Sequence, residues 1–237
     1  KTFLLLFFLM ISSGILIFLS GERSPFFNFI FFIILVFIFN PKKYLLKLPF
    51  VALVFFLIFT SLNFNSVAKF RMFDDTINQI SNTKFKYLPY SSHHELIYIT
   101  SLKMFYDKPI FGIGTNLFND QCNKKKYYTK FGCGSHPHNY YLQLLAELGL
   151  FGFLFLFIFF SYFFLIGLKQ LFYKYKPNSR NRVKFDILLF PMIIFIYWWP
   201  IIPHMNFYNN WNNVFMMLPL GFFMKYFYSN SNYGNNL

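Results

Sequence analysis

The residues best suited to chemistry lie in one short stretch near the middle of the chain. Within twelve residues it holds His136, His138, Asn139, Gln143 and Glu147. Imidazole titrates near neutral pH, so a histidine can take the proton of a reacting hydroxyl. At 100° per residue the last three share one helical face. A carboxylate in a membrane helix usually faces a partner or a water-filled site, whereas the simpler alternative is a helix start in the headgroup layer, with Asn139 as its cap.

A basic segment precedes this stretch, and two cysteines flank its lysines. Cys122 and Cys133 are the chain's two cysteines, and Lys124, Lys125 and Lys126 lie between them. The pair could be free thiols, a disulfide or, with the nearby histidines, zinc ligands. A C-x10-C spacing fits no common structural zinc site, so we expect no metal. The lysines could be a solvated face or could attract an anion such as a lipid diphosphate.

Two further elements should position these residues. Residues 91–106 read as a helix along the membrane surface, with Leu96, Ile99, Leu102 and Met104 as its apolar side. An FGIG sequence follows at residues 111–114, after Pro109. A lone GxG is weak evidence for phosphate binding, and the preceding strand and third glycine of a dinucleotide site are missing. We therefore predict a structural turn.

Composition indicates that the surrounding helices span a membrane. Of 237 residues, 56% are hydrophobic and 13% are charged, against about 25% charged in ordinary soluble domains. This balance excludes a disordered chain and argues against a soluble globular domain. About 20 apolar residues cross a bilayer as a helix, and six runs approach that length: residues 2–20, 25–40, 48–68, 148–168, 187–202 and 211–224.

The distribution of Lys and Arg orients these spans. Links 41–47 and 169–184 are rich in basic residues and should be cytoplasmic, whereas the short links on the other side, 21–24 and 203–210, hold one arginine, Arg23. The prediction is an all-α, polytopic transmembrane bundle with one large external loop that carries short helices. Residues 1–68 form three spans, 69–138 the loop, and 139–237 three spans and a cytoplasmic tail. The chain lacks an initial Met, so we expect it to be the C-terminal part of a longer protein.

An external loop lies in an oxidising compartment, which favours a disulfide between Cys122 and Cys133. Closing so short a loop would stabilise the fold by about 3 kcal/mol. The net charge of +14 does not indicate nucleic acid, because about half of the basic residues anchor the cytoplasmic ends of the spans.

Several pieces of the chain resemble one known family. They are His94 followed by Tyr98 and by MFYDKPIFGIG at 104–114, the set Phe118, Cys122 and Cys133, and SHPHNYYLQLLAELG at 135–149. They resemble the C-terminal half of the O-antigen polymerase and O-antigen ligase family of bacterial envelope membrane proteins. GERS at residues 21–24 is similar to the family's arginine between two spans. Asn119 and His94 depart from the pattern, because relatives tend to have arginine at the first position and ligase relatives often have it near the second.

The resemblance implies transfer of a glycan from undecaprenyl diphosphate to an acceptor hydroxyl on the periplasmic face of the inner membrane. The acceptor would be another lipid-linked glycan in a polymerase, which we favour, or the lipid A core in a ligase. His138 is the first candidate for the general base, His136 is the second, and Glu147 completes the catalytic set, paired with Arg23 or another cation. The predicted substrate-binding residues are Arg23, His94, Asn139, Gln143, Lys124, Lys125 and Lys126. No metal or other cofactor is expected, because cations can stabilise a leaving diphosphate.

Two alternatives remain from the sequence. A transporter or channel segment would have polar residues at mid-membrane in several spans, and here the polar chemistry is concentrated at the outer surface. Another enzyme of the same lipid carrier, such as a phosphatase, would need more outside arginine than Arg23 and Arg71 supply.

Overall fold

The computed structural model describes residues 2–39, 51–53, 55–56, 59, 66–81, 91–175, 185–200 and 202–234. Regular secondary structure in these residues is entirely helical, which confirms the all-α class. The chain divides into two compact units, Lys1–Pro89 and Tyr90–Leu237. In the described part of the chain one helix, Tyr140–Ile166, is long and apolar enough to cross a membrane, judged by length and composition. The polytopic arrangement therefore stays a prediction.

The first unit begins with two apolar helices, α1 (Thr2–Leu19) and α2 (Arg23–Phe39). They follow the predicted spans 2–20 and 25–40 closely and meet where the ring centroids of Phe18 and Phe26 lie 5.2 Å apart. Two short helices, α3 (Ser66–Lys69) and α4 (Asp75–Ser81), are joined by a π-helical segment, Phe70–Asp74. Most of the predicted span 48–68, and all of link 41–47, lie outside the described residues.

The second unit holds α5 (Ser92–Asp107), α6 (Phe118–Gln121), α7 (Tyr140–Tyr175), α8 (Phe185–Tyr197) and α9 (Asn210–Gly234). Helix α5 packs on α7, while α8 packs between α7 and α9. The core of α7, α8 and α9 is largely aromatic and includes Phe160, Trp198 and Phe207. A second core, with Ile97 and Met104, joins α5 to the cysteine-flanked segment.

Helix α7 is broken at Gly149, which the sequence pattern does not predict. Gly149 has φ 65° and ψ −167°, a conformation that is essentially open to glycine alone. We call residues 140–148 the short arm and residues 150–175 the long arm. The two arms lie side by side, because Trp198 contacts both Tyr141, at a ring-centroid distance of 5.7 Å, and Phe160, at 4.2 Å. In a straight helix those two residues would be about 28 Å apart.

The FGIG turn replaces the backbone hydrogen bonds that the break removes. Leu150 N donates to Pro109 O at 2.7 Å and Phe151 N to Ile110 O at 3.1 Å. In return, the carbonyls of residues 146 and 147 accept from the amides of residues 113 and 114, each at 3.0 Å. A continuous helix would have paired those same groups of α7 with each other. We call this exchange the clasp, and it leaves all four groups satisfied.

The clasp requires backbone to touch backbone at two glycines. A Cβ on Gly112 would lie 2.3 Å from the carbonyl carbon of Glu147, and a Cβ on Gly149 would lie 2.4 Å from that of Ile110. The amides of the turn are therefore used within the fold, and the prediction of a structural turn is confirmed.

Candidate active site

Three imidazoles come together at the start of the short arm. The ring centroid of His138 lies 4.0 Å from that of His136 and 5.3 Å from that of His94. His94 stands in the first turn of α5, where Ser91 caps the helix and its hydroxyl contacts His94 Nδ1 at 2.7 Å. The structure therefore brings together three of the histidines predicted for the site, from two separate elements. We call them the histidine cluster.

The backbone at His138 is held in an uncommon conformation. Its φ is 56°, in the left-handed region that residues other than glycine enter rarely. Such conformations persist where surrounding contacts enforce them, and they are concentrated at functional sites. Here the carbonyl of His138 accepts a hydrogen bond of 2.8 Å from the backbone N–H of His204.

His204 is a site residue that the sequence analysis missed. Its backbone oxygen contacts His136 Nε2 at 3.2 Å, and its ring stacks on Tyr140 with centroids 4.2 Å apart. Its Nδ1 accepts from the backbone N–H of Tyr140 at 3.4 Å. The available signal was weak: His204 lies between the predicted spans 187–202 and 211–224, in a link that the predicted topology places outside together with residues 69–138.

These contacts assign a tautomer to His136. A backbone carbonyl can only accept, so Nε2 of His136 must carry the hydrogen that it donates to His204 O. In the neutral ring Nδ1 is then an acceptor, and the Ser135 hydroxyl lies 2.9 Å from it, in position to donate.

Burial keeps His136, His138 and His204 neutral. Burial, followed by charge repulsion from His136 and His94, lowers the pKa of His138 to about 4. Burial also lowers the pKa of His136, against a smaller opposing effect of its hydrogen bond to His204, and lowers the pKa of His204 to about 4. At neutral pH each of these rings is uncharged, so His138 has a lone pair that can accept a proton.

The polar residues of the short arm bind neighbouring chain segments. Asn139 caps the arm, since its Oδ1 accepts from Leu142 N at 3.2 Å while its Nδ2 donates to Pro200 O at 3.1 Å. Tyr141 donates from its hydroxyl to Trp198 O at 2.5 Å. The start of the arm is thereby fixed to residues 198–200, at the end of α8.

Gln143 continues the network toward the segment that carries His204. Its Oε1 accepts from Phe207 N at 2.9 Å, and its Nε2 donates to Asn206 Oδ1 at 2.8 Å and to Glu147 Oε2 at 3.2 Å. Gln143 is 1% exposed. It therefore positions residues 206–207, and its polar atoms already have partners within the protein.

Glu147 has different partners from those we expected. Its Oε1 accepts from the backbone N–H of Phe118 at 2.8 Å and its Oε2 from Gln143, and the residue is 1% exposed. The expected partner, Arg23, instead donates to Thr76 Oγ1 at 3.2 Å, to Gln79 Oε1 at 3.1 Å and to Asp75 Oδ2 at 3.3 Å. Amide donors therefore satisfy the carboxylate and α4 supplies acceptors for the arginine, and the predicted pairing of Glu147 with Arg23 or another cation stays a prediction.

The cysteine-flanked segment is tied to α5. Cys122 and Cys133 are joined as a disulfide, with Cα atoms 5.3 Å apart. Lys126 Nζ lies 2.6 Å from Asp107 Oδ2, which also accepts from the Tyr127 hydroxyl at 2.5 Å. Those two hydrogen bonds lower the pKa of Asp107. Of the three predicted anion-binding lysines, Lys126 is therefore engaged by a carboxylate, whereas Lys124 and Lys125 are exposed.

Over the part of the chain that the structure describes, no group of three or more His, Cys, Asp or Glu side chains is arranged to hold a metal ion. The candidate site consists of uncharged imidazoles next to amides and carbonyls, groups that are suited to proton transfer and hydrogen bonding.

Comparison with known proteins gives one result. A family model described as O-antigen ligase matches residues 5–157. The match includes the histidine cluster, the disulfide, the FGIG turn and the short arm, and it ends before His204. No curated protein and no solved structure matches the chain.

Proposed function

Because the chain belongs to the O-antigen ligase family, we propose that it transfers a glycan from undecaprenyl diphosphate to an acceptor hydroxyl at the periplasmic face of the bacterial inner membrane. The observation that carries this proposal is the histidine cluster, in which a neutral His138 is held in a left-handed conformation beside two further imidazoles. The family acts on lipid-linked glycans in general. The donor, the acceptor and the residue roles below are our proposal.

In the proposed reaction His138 is the general base. Its imidazole takes the proton of the acceptor hydroxyl while that oxygen bonds to the anomeric carbon of the donor sugar. The bond from that carbon to the diphosphate breaks, and undecaprenyl diphosphate leaves with the electron pair. His136 is the second candidate for the base.

Donor binding would make His138 a stronger base. A ring with a pKa of about 4 is fully deprotonated at neutral pH but has low proton affinity. An opposite charge within a few ångströms favours the charged form of a titratable group, so a bound diphosphate would raise that pKa toward neutrality. The base would then be strongest when the donor is in place.

We assign roles to the remaining residues according to whether their side chains are exposed or already bonded within the protein. Lys124 and Lys125 are exposed cations that could bind the diphosphate. Arg23 and His94 stay proposed substrate-binding residues on the strength of the sequence alone. Lys126 would contribute through its ion pair with Asp107. Asn139, Gln143 and Glu147 are proposed as positioning residues, because each side chain bonds to the segments that frame the cluster.

A polytopic arrangement agrees with this function. We propose that N- and C-termini are cytoplasmic, that residues 1–68 and 139–237 contain three spans each, and that residues 69–138 are periplasmic. The long arm supports this, because its apolar face is exposed and it ends among lysines at 169 and 174.

The acceptor distinguishes the two activities of the family. We propose a lipid-linked glycan, hence polymerase activity, because ligase relatives often have arginine where this chain has His94. Expression of the full-length gene in strains that lack either the polymerase or the ligase would decide. A restored ladder of surface polysaccharide in the first strain supports a polymerase, and restored attachment to the lipid A core in the second supports a ligase.

The proposed base is tested with His138→Asn, since asparagine tolerates a positive φ and cannot take the proton. We expect glycan transfer by purified protein to fall by about 10²–10⁴-fold at normal yield. His93→Asn is the matched control, because His93 is exposed on the neighbouring helix, and it should retain activity.

Three other outcomes have defined meanings. Retained activity in His138→Asn with loss in His136→Asn would move the base to His136. Activity in both variants would refute proton transfer by the cluster. Release of inorganic phosphate from the lipid carrier without glycan transfer would favour a phosphatase instead.

A further inference from the structure

An exposed apolar surface lies at the clasp. Ile110, Phe111 and Phe151 are 62%, 72% and 69% exposed. The rings of Phe111 and Phe151 contact each other with centroids 5.9 Å apart. We call these three residues the aromatic tip.

The tip continues the exposed face of the long arm. The most exposed apolar residues after Phe151, up to Ile166, are three, four or seven positions apart, which places them on one helical face: Phe155, Ile158, Tyr162 and Leu165. The long arm makes up most of Tyr140–Ile166, the described segment that is long and apolar enough to cross a membrane. The exposed face of the long arm and the tip form one continuous apolar surface, so lipid that covers the face should also cover the tip.

The tip is held rigidly in that position. Phe151 N donates to Ile110 O, and the adjacent bonds of the clasp fix residues 109–114 to both arms. The clasp thereby fixes the backbone that carries the exposed Phe111 ring. Exposed Tyr106 and Lys108 adjoin it, and aromatic and basic residues are typical of the membrane–water interface.

We infer that the aromatic tip inserts into the outer leaflet of the bilayer, at the boundary between hydrocarbon and headgroups. The external loop is then docked on the membrane through this surface instead of projecting into the periplasm. This inference rests on the membrane placement in the proposed function.

The tip would also set the depth of the histidine cluster. Trp198, at the end of α8, packs on Phe160 of the long arm, which lies about 16 Å along the helix from Gly149. Tyr140 and Asn139 are at the level of Trp198, since Tyr140 contacts its ring and Asn139 bonds to Pro200. With the tip at the outer boundary, the contact of Trp198 with the long arm relates the position of the cluster to that boundary.

Spin labels can measure this depth in the full chain. Phe111→Cys, Phe155→Cys and Lys125→Cys would each be labelled and reconstituted in lipid nanodiscs, with Cys122 and Cys133 left oxidised. Collision with dissolved oxygen reports lipid, and collision with a water-soluble nickel chelate reports solvent. We expect the label at 111 to favour oxygen, as the label at 155 does, but at a shallower depth, and the label at 125 to favour nickel.

Each other result is decisive. A label at 111 that favours nickel, with 155 still in lipid, overturns the docking and leaves the proposed function intact. A label at 155 that favours nickel refutes the membrane placement itself. A label at 111 that neither reagent reaches would mean that protein covers the tip, a second copy or a partner, and would also overturn the inference.

Discussion

Replacing Gly149 by alanine should destabilise the protein strongly. The new Cβ would lie 2.4 Å from the carbonyl carbon and oxygen of Ile110, and alanine would have to adopt a φ of 65°. Backbone strain of that kind costs about 1–3 kcal/mol. Separating the turn from the helix also weakens the two hydrogen bonds from Leu150 and Phe151, worth about 1 kcal/mol each.

Together these effects amount to about 3–5 kcal/mol. For a chain of this size that corresponds to a fall in Tm of about 6–20 °C. The assay is thermal unfolding of purified protein in detergent, followed by tryptophan fluorescence, because Trp198 lies in the core that packs on both arms.

Gly221→Ala is the matched control. Gly221 lies in α9, and a Cβ there meets no atom within 4 Å. Alanine is favoured over glycine inside a helix by about 1 kcal/mol, so this variant should be unchanged or slightly more stable.

The sign of the result at Gly149 distinguishes two structures. If α7 were continuous through this position, Gly149→Ala would behave like the control and raise Tm. An unchanged or raised Tm would therefore refute the break and the clasp together.

Three further predictions follow from the described contacts. The folded state lowers the pKa of His138 to about 4, from 6.5 in the unfolded chain, so the unfolded state binds more protons between these two pH values. The free energy of unfolding should therefore be constant above pH 6.5 and fall as the pH drops toward 4. The measurement is Tm as a function of pH. Cys122 and Cys133 should form a disulfide in cells, seen by mass spectrometry of non-reduced peptides, and reduction should cost about 3 kcal/mol of stability; two free thiols in the native protein would contradict this. Arg23→Lys cannot reproduce three hydrogen bonds from one planar group, so transfer activity should fall to a partial level while stability changes by less than about 1 kcal/mol; full activity would remove Arg23 from the site.

The longer helices could be predicted from the sequence because each follows a local apolar pattern, whereas the short helices at Asp75–Ser81 and Phe118–Gln121 were not predicted individually. Residues 91–106 were predicted as helical and α5 is Ser92–Asp107, with Ser91 as its cap. The buried side of α5 was predicted less well. Thr100 and Ser101 are buried there, since their hydroxyls donate to backbone carbonyls one turn earlier and so carry no unpaired group inward.

The break at Gly149 and the role of His204 could not be predicted, because both depend on residues distant in sequence. An apolar run with glycines at 149, 152 and 167 is compatible with a continuous helix, and the contact of Gly149 with Ile110 is what selects the break. His204 reaches the cluster through its backbone and through stacking on Tyr140, contacts that residue type and spacing do not encode.

Because of the clasp, the FGIG turn and the two arms can be exchanged between relatives only as one unit. At the break, α7 has two amides and two carbonyls without intrahelical partners, and the turn segment supplies the two carbonyls and two amides that bond to them. A chimera that exchanged the external loop between relatives but kept the host's α7 would have to match these four bonds and both glycine contacts at once. Functional exchanges should therefore have their crossover points outside residues 109–151, and recombination inside that interval should yield protein that fails to accumulate.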